Sequence, residues 1–180
     1  MAAELSNATP PTLETARLLL RPARLDDFDT YAAMWADPVV TRFIGGKPFS
    51  REGAWTRFLR QLGMWRAHGF GFLVVEEKAG GRFLGEAGFH DLKRDLTPSL
   101  EGTMEAGWGF VADAHGSGFA TEAVTALLAW RAAAFPALRV TCIIDPDNAQ
   151  SLRVAQKLGF REVARTTYHG APTVMFELAG

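Results

Sequence analysis

Apolar positions along the chain alternate between two periods. At residues 25–36, Leu25, Phe28, Tyr31, Ala32 and Trp35 recur at helical spacing, and Pro38 closes the run. Ser50 is placed to cap a second helix reaching about residue 67, with Trp55, Phe58, Leu59, Leu62 and Trp65 on its apolar face. Residues 17–21 form a first strand stopped by Pro22. Residues 70–76 and 82–90 read as strands joined across Ala79-Gly80-Gly81, a hairpin signal. A polar loop, 92–102, leads into a strand at 103–111. A helix from Ala120 carries Ala123, Val124, Leu127 and Leu128 inward and is closed by Pro136. A strand at 139–144 precedes a short helix between Asn148, an N-cap, and Gly159, a left-handed terminator. Residues 161–168 and 173–178 pair around His169-Gly170-Ala171-Pro172. The pattern predicts an α/β fold with hairpins at both ends, hence a mixed sheet flanked by helices. Residues 1–12 read as a loose tail and 13–180 as a single domain.

The strand at 103–111 runs into His115-Gly116-Ser117-Gly118-Phe119-Ala120-Thr121-Glu122-Ala123. A strand, a glycine loop and a helix N-terminus together make an anion site from backbone N–H groups. No Lys or Arg lies between Asp113 and Ala123, so the main chain would supply most of the attraction. The segment has no Gly-Lys-Ser/Thr, and Thr121 stands where a dinucleotide fingerprint has its third small residue. A tight turn in which the glycines serve geometry alone explains the segment equally well.

Bulk properties narrow the field. The chain has 180 residues, 48% hydrophobic and 22% charged, with net charge −1. That suits one globular domain and gives no basic surface for nucleic acid and no polybasic membrane anchor. No apolar run has transmembrane length and no signal-peptide pattern is visible, so the cytoplasm is the expected compartment. Cys142 is the single cysteine, which excludes an internal disulfide, and its apolar surroundings point to an inert thiol. His68, His90, His115 and His169 lack metal-ligand spacing, so no metal is expected.

A second segment, Asn148-Ala149-Gln150-Ser151 through Lys157-Leu158-Gly159-Phe160, changes the balance. Together with Gly116-x-Gly118 and Ala120-Thr121-Glu122-Ala123 it resembles the GNAT acetyltransferase superfamily. The Thr-Glu-Ala tail, the Asn-x-x-Ser form and the opening Leu13-Glu14-Thr15-Ala16-Arg17-Leu18 are closest to the subgroup containing the ribosomal-protein alanine N-acetyltransferases. The resemblance runs from about residue 13 to the C-terminus. It implies a GNAT-like mixed, mostly antiparallel twisted sheet, and acetyl-CoA as co-substrate held by backbone N–H from Gly116, Ser117, Gly118, Phe119 and Ala120, with Thr121 beside them. It also implies that the strand before the loop splays from its neighbour, that Trp108 and Phe110 run along the pantetheine arm, and that an N–H near Phe110 serves as oxyanion donor. Asn148 would cap its helix and bond the pantetheine amide, and Ser151 would protonate or hydrogen-bond the departing thiolate. Where relatives carry Gln or Arg three residues before the first loop glycine, this chain has Asp113, an acid that must point away from a diphosphate. Arg153 and Lys157 either reach CoA phosphates or form a solvated helix face.

Glu105 is the favoured base. On a regular strand it shares a face with Gly107 and Gly109, and burial is expected to raise its pKa; the alternative is a structural carboxylate paired with an arginine or bonding backbone. The glycines suit a bulge or equally thin packing against a bulky neighbour. Glu86, sharing a face with Gly88 and His90, is the competing carboxylate, and the two acids would perturb one another if adjacent. His90 is a proton shuttle, a surface residue or a satisfied hydrogen-bond partner. Tyr168 lies too late in the chain to match the family's tyrosine. Trp35, Phe43, Trp55, Trp65 and Phe70 wall an acceptor pocket or fill a core, and Arg94 and Asp95 touch the acceptor or face water. The expected reaction is direct transfer of acetyl to a primary amine: a protein N-terminus, an amino acid, a polyamine or an aminoglycoside. A non-catalytic acyl-CoA sensor is the alternative. Family habit allows a homodimer as well as a monomer.

Overall fold

In the computed structural model, which describes residue 6 and residues 8–179, helix boundaries fall where side-chain chemistry puts them. After β1 (Leu13–Glu14) and β2 (Leu18–Arg21), a single 3-10 turn (Leu25–Asp27) runs into α1 (Phe28–Ala36). Pro38 ends that helix as expected, but it also opens a short α2 (Pro38–Thr41), with Asp37 accepting from Val39 N–H. Proline suits a first helical position, where no N–H partner is needed. Ser50 Oγ accepts from Gly53 N–H (3.1 Å) to start α3 (Arg51–His68), and Gly69 at φ 75° ends it. There follow β3 (Phe72–Glu77), β4 (Arg82–His90), β5 (Met104–Phe110), a 3-10 turn (Ala112–Ala114) and α4 (Phe119–Ala134). The chain finishes with β6 (Val140–Ile144), α5 (Ala149–Lys157), β7 (Phe160–Tyr168) and β8 (Ala171–Leu178).

The strands form one sheet in the order β1-β2-β3-β4-β5-β6-β8-β7. Neighbours are antiparallel except β5 and β6, which run parallel and pair only at Met104↔Val140 and Glu105↔Thr141. The two faces bury different cores. Leu73, Val75, Ala87, Phe89, Ala106 and Phe110 pack with Val124 and Leu127 of α4. Residues of opposite parity face α1 and α3, whose Tyr31, Trp35 and Phe58 form a second cluster. Burying these two faces holds the middle strands in a fixed register. Of the proposed tail, residues 1–5 and 7 lie outside the described residues. Ser6 N–H donates to the Arg66 carbonyl (2.8 Å) at the end of α3, so this part of the tail is packed rather than loose. Among the described residues, no helix is long and apolar enough to cross a membrane, and no cluster of His, Cys, Asp and Glu could hold a metal.

Candidate active site

The glycine loop takes the form that its residues allow. Gly116 (φ 77°) and Gly118 (φ 82°) are both left-handed, and α4 begins immediately after. The first intrahelical bond is Glu122 N–H to the Gly118 carbonyl (3.1 Å), so the N–H groups of Phe119, Ala120 and Thr121 precede it. They border a hollow of about 500 Å³ whose walls include Gly116, Gly118, Ala120, Thr121, Arg153 and Lys157. Ser117 turns the other way, its carbonyl accepting from Arg17 (3.0 Å). Asp113 also points out, to Arg82 (2.8 Å), away from the hollow, as expected.

The parting of β5 from β6 continues this hollow inward. Val111 N–H donates to the Leu84 carbonyl (2.9 Å), and antiparallel bonding alternates, so the N–H groups of Trp108 and Phe110 face away from β4 toward the gap. Met104 N–H, on the same parity, donates to the Arg139 carbonyl (2.8 Å), and the pairing with β6 ends at Glu105↔Thr141, before Trp108. Trp108 Nε1 donates to Ser151 Oγ (3.3 Å), leaving the hydroxyl hydrogen free to turn. Asn148 Oδ1 accepts from Ser151 N–H (3.1 Å), the predicted cap.

A second hollow, about 380 Å³, opens on the other side of the gap. Trp108, Asn148 and Ser151 border both, as do Arg42, Phe43 and Ile44 of the turn after α2. On its wall Glu105 is buried and fully engaged. Arg94 grips both oxygens (2.7 and 2.8 Å), and His90 Nε2 lies 3.0 Å from Oε1. Burial alone would raise the Glu105 pKa, but His90 and Arg94 outweigh it and hold it at about 2, below the ordinary 4.5. This overturns the expected upward shift. His90 is buried rather than on the surface, stacked on Phe72 (5.2 Å between centroids), and burial lowers its pKa from 6.5. Nε2 meets Glu105 Oε1 at close range without good hydrogen-bond geometry, and Nδ1 has no hydrogen-bond partner.

Glu86 and Glu105 are not a carboxylate pair. Glu86 sits opposite Gly109 and Glu105 opposite His90, so four residues separate them along each strand. Glu86 is buried behind the second hollow, where Arg57 Nη2 donates to it (3.0 Å), and burial raises its pKa. Gly107 and Gly109 make no bulge, as β5 keeps regular register with β4. They are thin spots instead: a Cβ on Gly107 would lie 2.8 Å from the Phe72 ring, and one on Gly109 3.3 Å from Trp35. Of the aromatic candidates, Trp35, Trp65 and Phe70 are core, Trp55 is part-exposed away from the site, and Phe43 reaches the hollows. Asp95 is exposed. Sequence reasoning missed Arg57 and set Tyr168 aside, yet both line the second hollow, and the Arg94 guanidinium lies 5.0 Å over the Tyr168 ring. The hairpin read around His169-Gly170 is present, left-handed at both residues, and what the sequence did not show is that it brings Tyr168 beside the site.

The Acetyltransferase (GNAT) domain family matches residues 17–161. The chain belongs to the GNAT acetyltransferase family. It is 28% identical to the uncharacterized N-acetyltransferase p20 of Bacillus licheniformis over 84% of this chain and 83% of that one. It also superposes on a GnaT-family acetyltransferase structure from Bordetella pertussis with TM-score 0.84 and 33% identity, over 94% of this chain and all of the other. A ribosomal-protein-S5-alanine acetyltransferase from Vibrio fischeri shares the fold, with TM-score 0.70 and 18% identity over 93% of this chain and 96% of that one. The GNAT chain described here is thus an acyl-CoA-dependent N-acetyltransferase. Its loop fits an acyl-CoA diphosphate: two left-handed glycines, free helix N-terminal N–H groups and two cations, Arg153 and Lys157, around one hollow. A bound acetyl-CoA would supply an activated thioester.

Proposed function

We propose that the enzyme acetylates the α-amino group of an amino acid or a peptide N-terminus by direct attack on acetyl-CoA. The observation that carries this reading is the junction of the two hollows at Trp108 and Ser151, in the gap between β5 and β6. In this reading Gly116, Ser117, Gly118, Phe119, Ala120 and Thr121 hold the diphosphate from the main chain. Trp108 and Phe110 offer N–H groups to the pantetheine arm and the oxyanion, and Asn148 borders the arm. Ser151, oriented by Trp108, donates to the departing thiolate.

Glu105, clamped by Arg94, does not remove the ammonium proton alone. It orients the buried His90 as a carboxylate orients a catalytic imidazole, and the proton passes to the His90–Glu105 pair through water. Glu86 serves to hold Arg57 at the wall.

The charges beside the acceptor hollow favour a lone ammonium over a polycation. Arg42, Arg57 and Arg94 line it. Of its two acids, Glu105 is held by Arg94, and Asp145 has one oxygen accepting from the Asp147 N–H (2.8 Å). The second charge of a polyamine or aminoglycoside would find Asp145 alone to pair with, among three arginines.

The test is calorimetric titration with acetyl-CoA, then thiol release with Ala- and Ser-starting peptides, free amino acids, a polyamine and an aminoglycoside. Binding followed by release with the peptides or amino acids supports the reading. Release with the polycations alone overturns the acceptor class. Binding without release from any amine favours an acyl-CoA sensor.

A further inference from the structure

Arg17 lies outside both hollows, yet its whole guanidinium is committed to the glycine loop. Nε and Nη2 meet Glu122 Oε2 (2.7 Å each), Nη1 donates to the Ser117 carbonyl (3.0 Å), and the group lies 4.4 Å over the Phe119 ring. Its own N–H donates to Glu122 Oε1 (2.9 Å), where Thr15 Oγ1 also donates. The Lys78 N–H fixes the Arg17 carbonyl from β3's end (2.8 Å).

Two consequences follow from peptide geometry and charge. The Ser117 carbonyl and the Gly118 N–H share one planar trans peptide, so pinning the carbonyl outward aims that N–H toward the hollow. Glu122 sits in the first turn of the helix whose N-terminus borders the hollow. A carboxylate there suits the helix dipole but repels a second anion. Arg17 cancels it.

We propose that Arg17 is a positioning residue for the acyl-CoA diphosphate, setting the Ser117–Gly118 peptide and neutralising Glu122 without touching the ligand itself. The proposal rests on the acyl-CoA reading of the larger hollow. It gives the opening Thr15-Ala16-Arg17 and the distant Thr121-Glu122 one shared task.

The experiment compares CoA binding by calorimetry, and steady-state kinetics with acetyl-CoA and with S-acetyl-pantetheine, which ends before the diphosphate. Arg17→Ala should raise the CoA Kd and the acetyl-CoA KM about tenfold while kcat stays within about twofold. The KM for S-acetyl-pantetheine should change less than about twofold. Adding Glu122→Gln to Arg17→Ala should recover about threefold of the lost affinity, because the uncompensated charge is gone. Arg17→Lys keeps the charge without the fork and should fall between, and it replaces Arg17→Ala if that variant does not fold. An unchanged CoA Kd, or an equal rise in KM for both donors, overturns the proposal. Wild-type protein that fails to bind CoA overturns the acyl-CoA reading instead.

Discussion

A buried carboxylate with two firm partners is a different reagent from a buried carboxylate alone. Glu105 stays ionised down to about pH 2, so its own titration cannot shape a rate profile in the neutral range. His90 shapes it only on the acid side, because burial lowers its pKa from the ordinary 6.5 and a neutral ring is required to accept a proton. With an acceptor whose amine is already neutral, kcat should stay flat through the neutral range and fall only at more acid pH, where His90 is protonated. His90→Gln should lower the plateau and remove that acid limb, which stopped-flow or endpoint thiol assays across pH will read. Glu105→Gln should cut kcat on the order of a hundredfold while leaving the CoA Kd within about twofold. Unchanged turnover in that variant would remove the pair from the mechanism. The misjudged Glu105 pKa shows what the sequence withholds at this scale. Burial is legible from strand alternation, but Arg94 reaches the carboxylate from an irregular loop, and no spacing rule announces that contact.

Among elements, local chemistry was legible and long-range chemistry was not. The Gly116–Gly118 turn, the Asn148 cap and the Gly159 terminator each depend on a few consecutive residues, and the structure has them where the pattern put them. Arg57 on α3 and Tyr168 at the end of β7 line the hollow beside Glu105 only because the fold brings their elements around it. Arg17 and Glu122 are 105 residues apart. The glycines separate these two kinds of information experimentally. Gly107→Ala forces a Cβ to 2.8 Å from Phe72, which is itself stacked on His90, and should destabilise the fold by about 1–3 kcal/mol in denaturant unfolding. Gly116→Ala has open space around its Cβ but must hold a left-handed φ of 77°. Its cost, about 1–2 kcal/mol, should therefore fall on the loop and weaken CoA binding by about tenfold.

At the scale of the whole molecule, eight strands are joined at their middle by two residue pairs between β5 and β6. The seam divides the hydrogen-bonded ladder into two panels, β1 to β5 and β6, β8 and β7, over one shared core to which Val140, Cys142, Phe160, Val174 and Phe176 also belong. Native-state hydrogen exchange should therefore find the seam opening locally, at lower cost than the shared core. The amides of Trp108 and Phe110 border the seam and should exchange fast in the free protein. A pantetheine arm laid into the gap, as proposed, would be a ninth, borrowed strand, and those two amides should then slow together. The sheet's hydrogen-bonded ladder would thus be completed by the enzyme's own co-substrate and reopened at each product release.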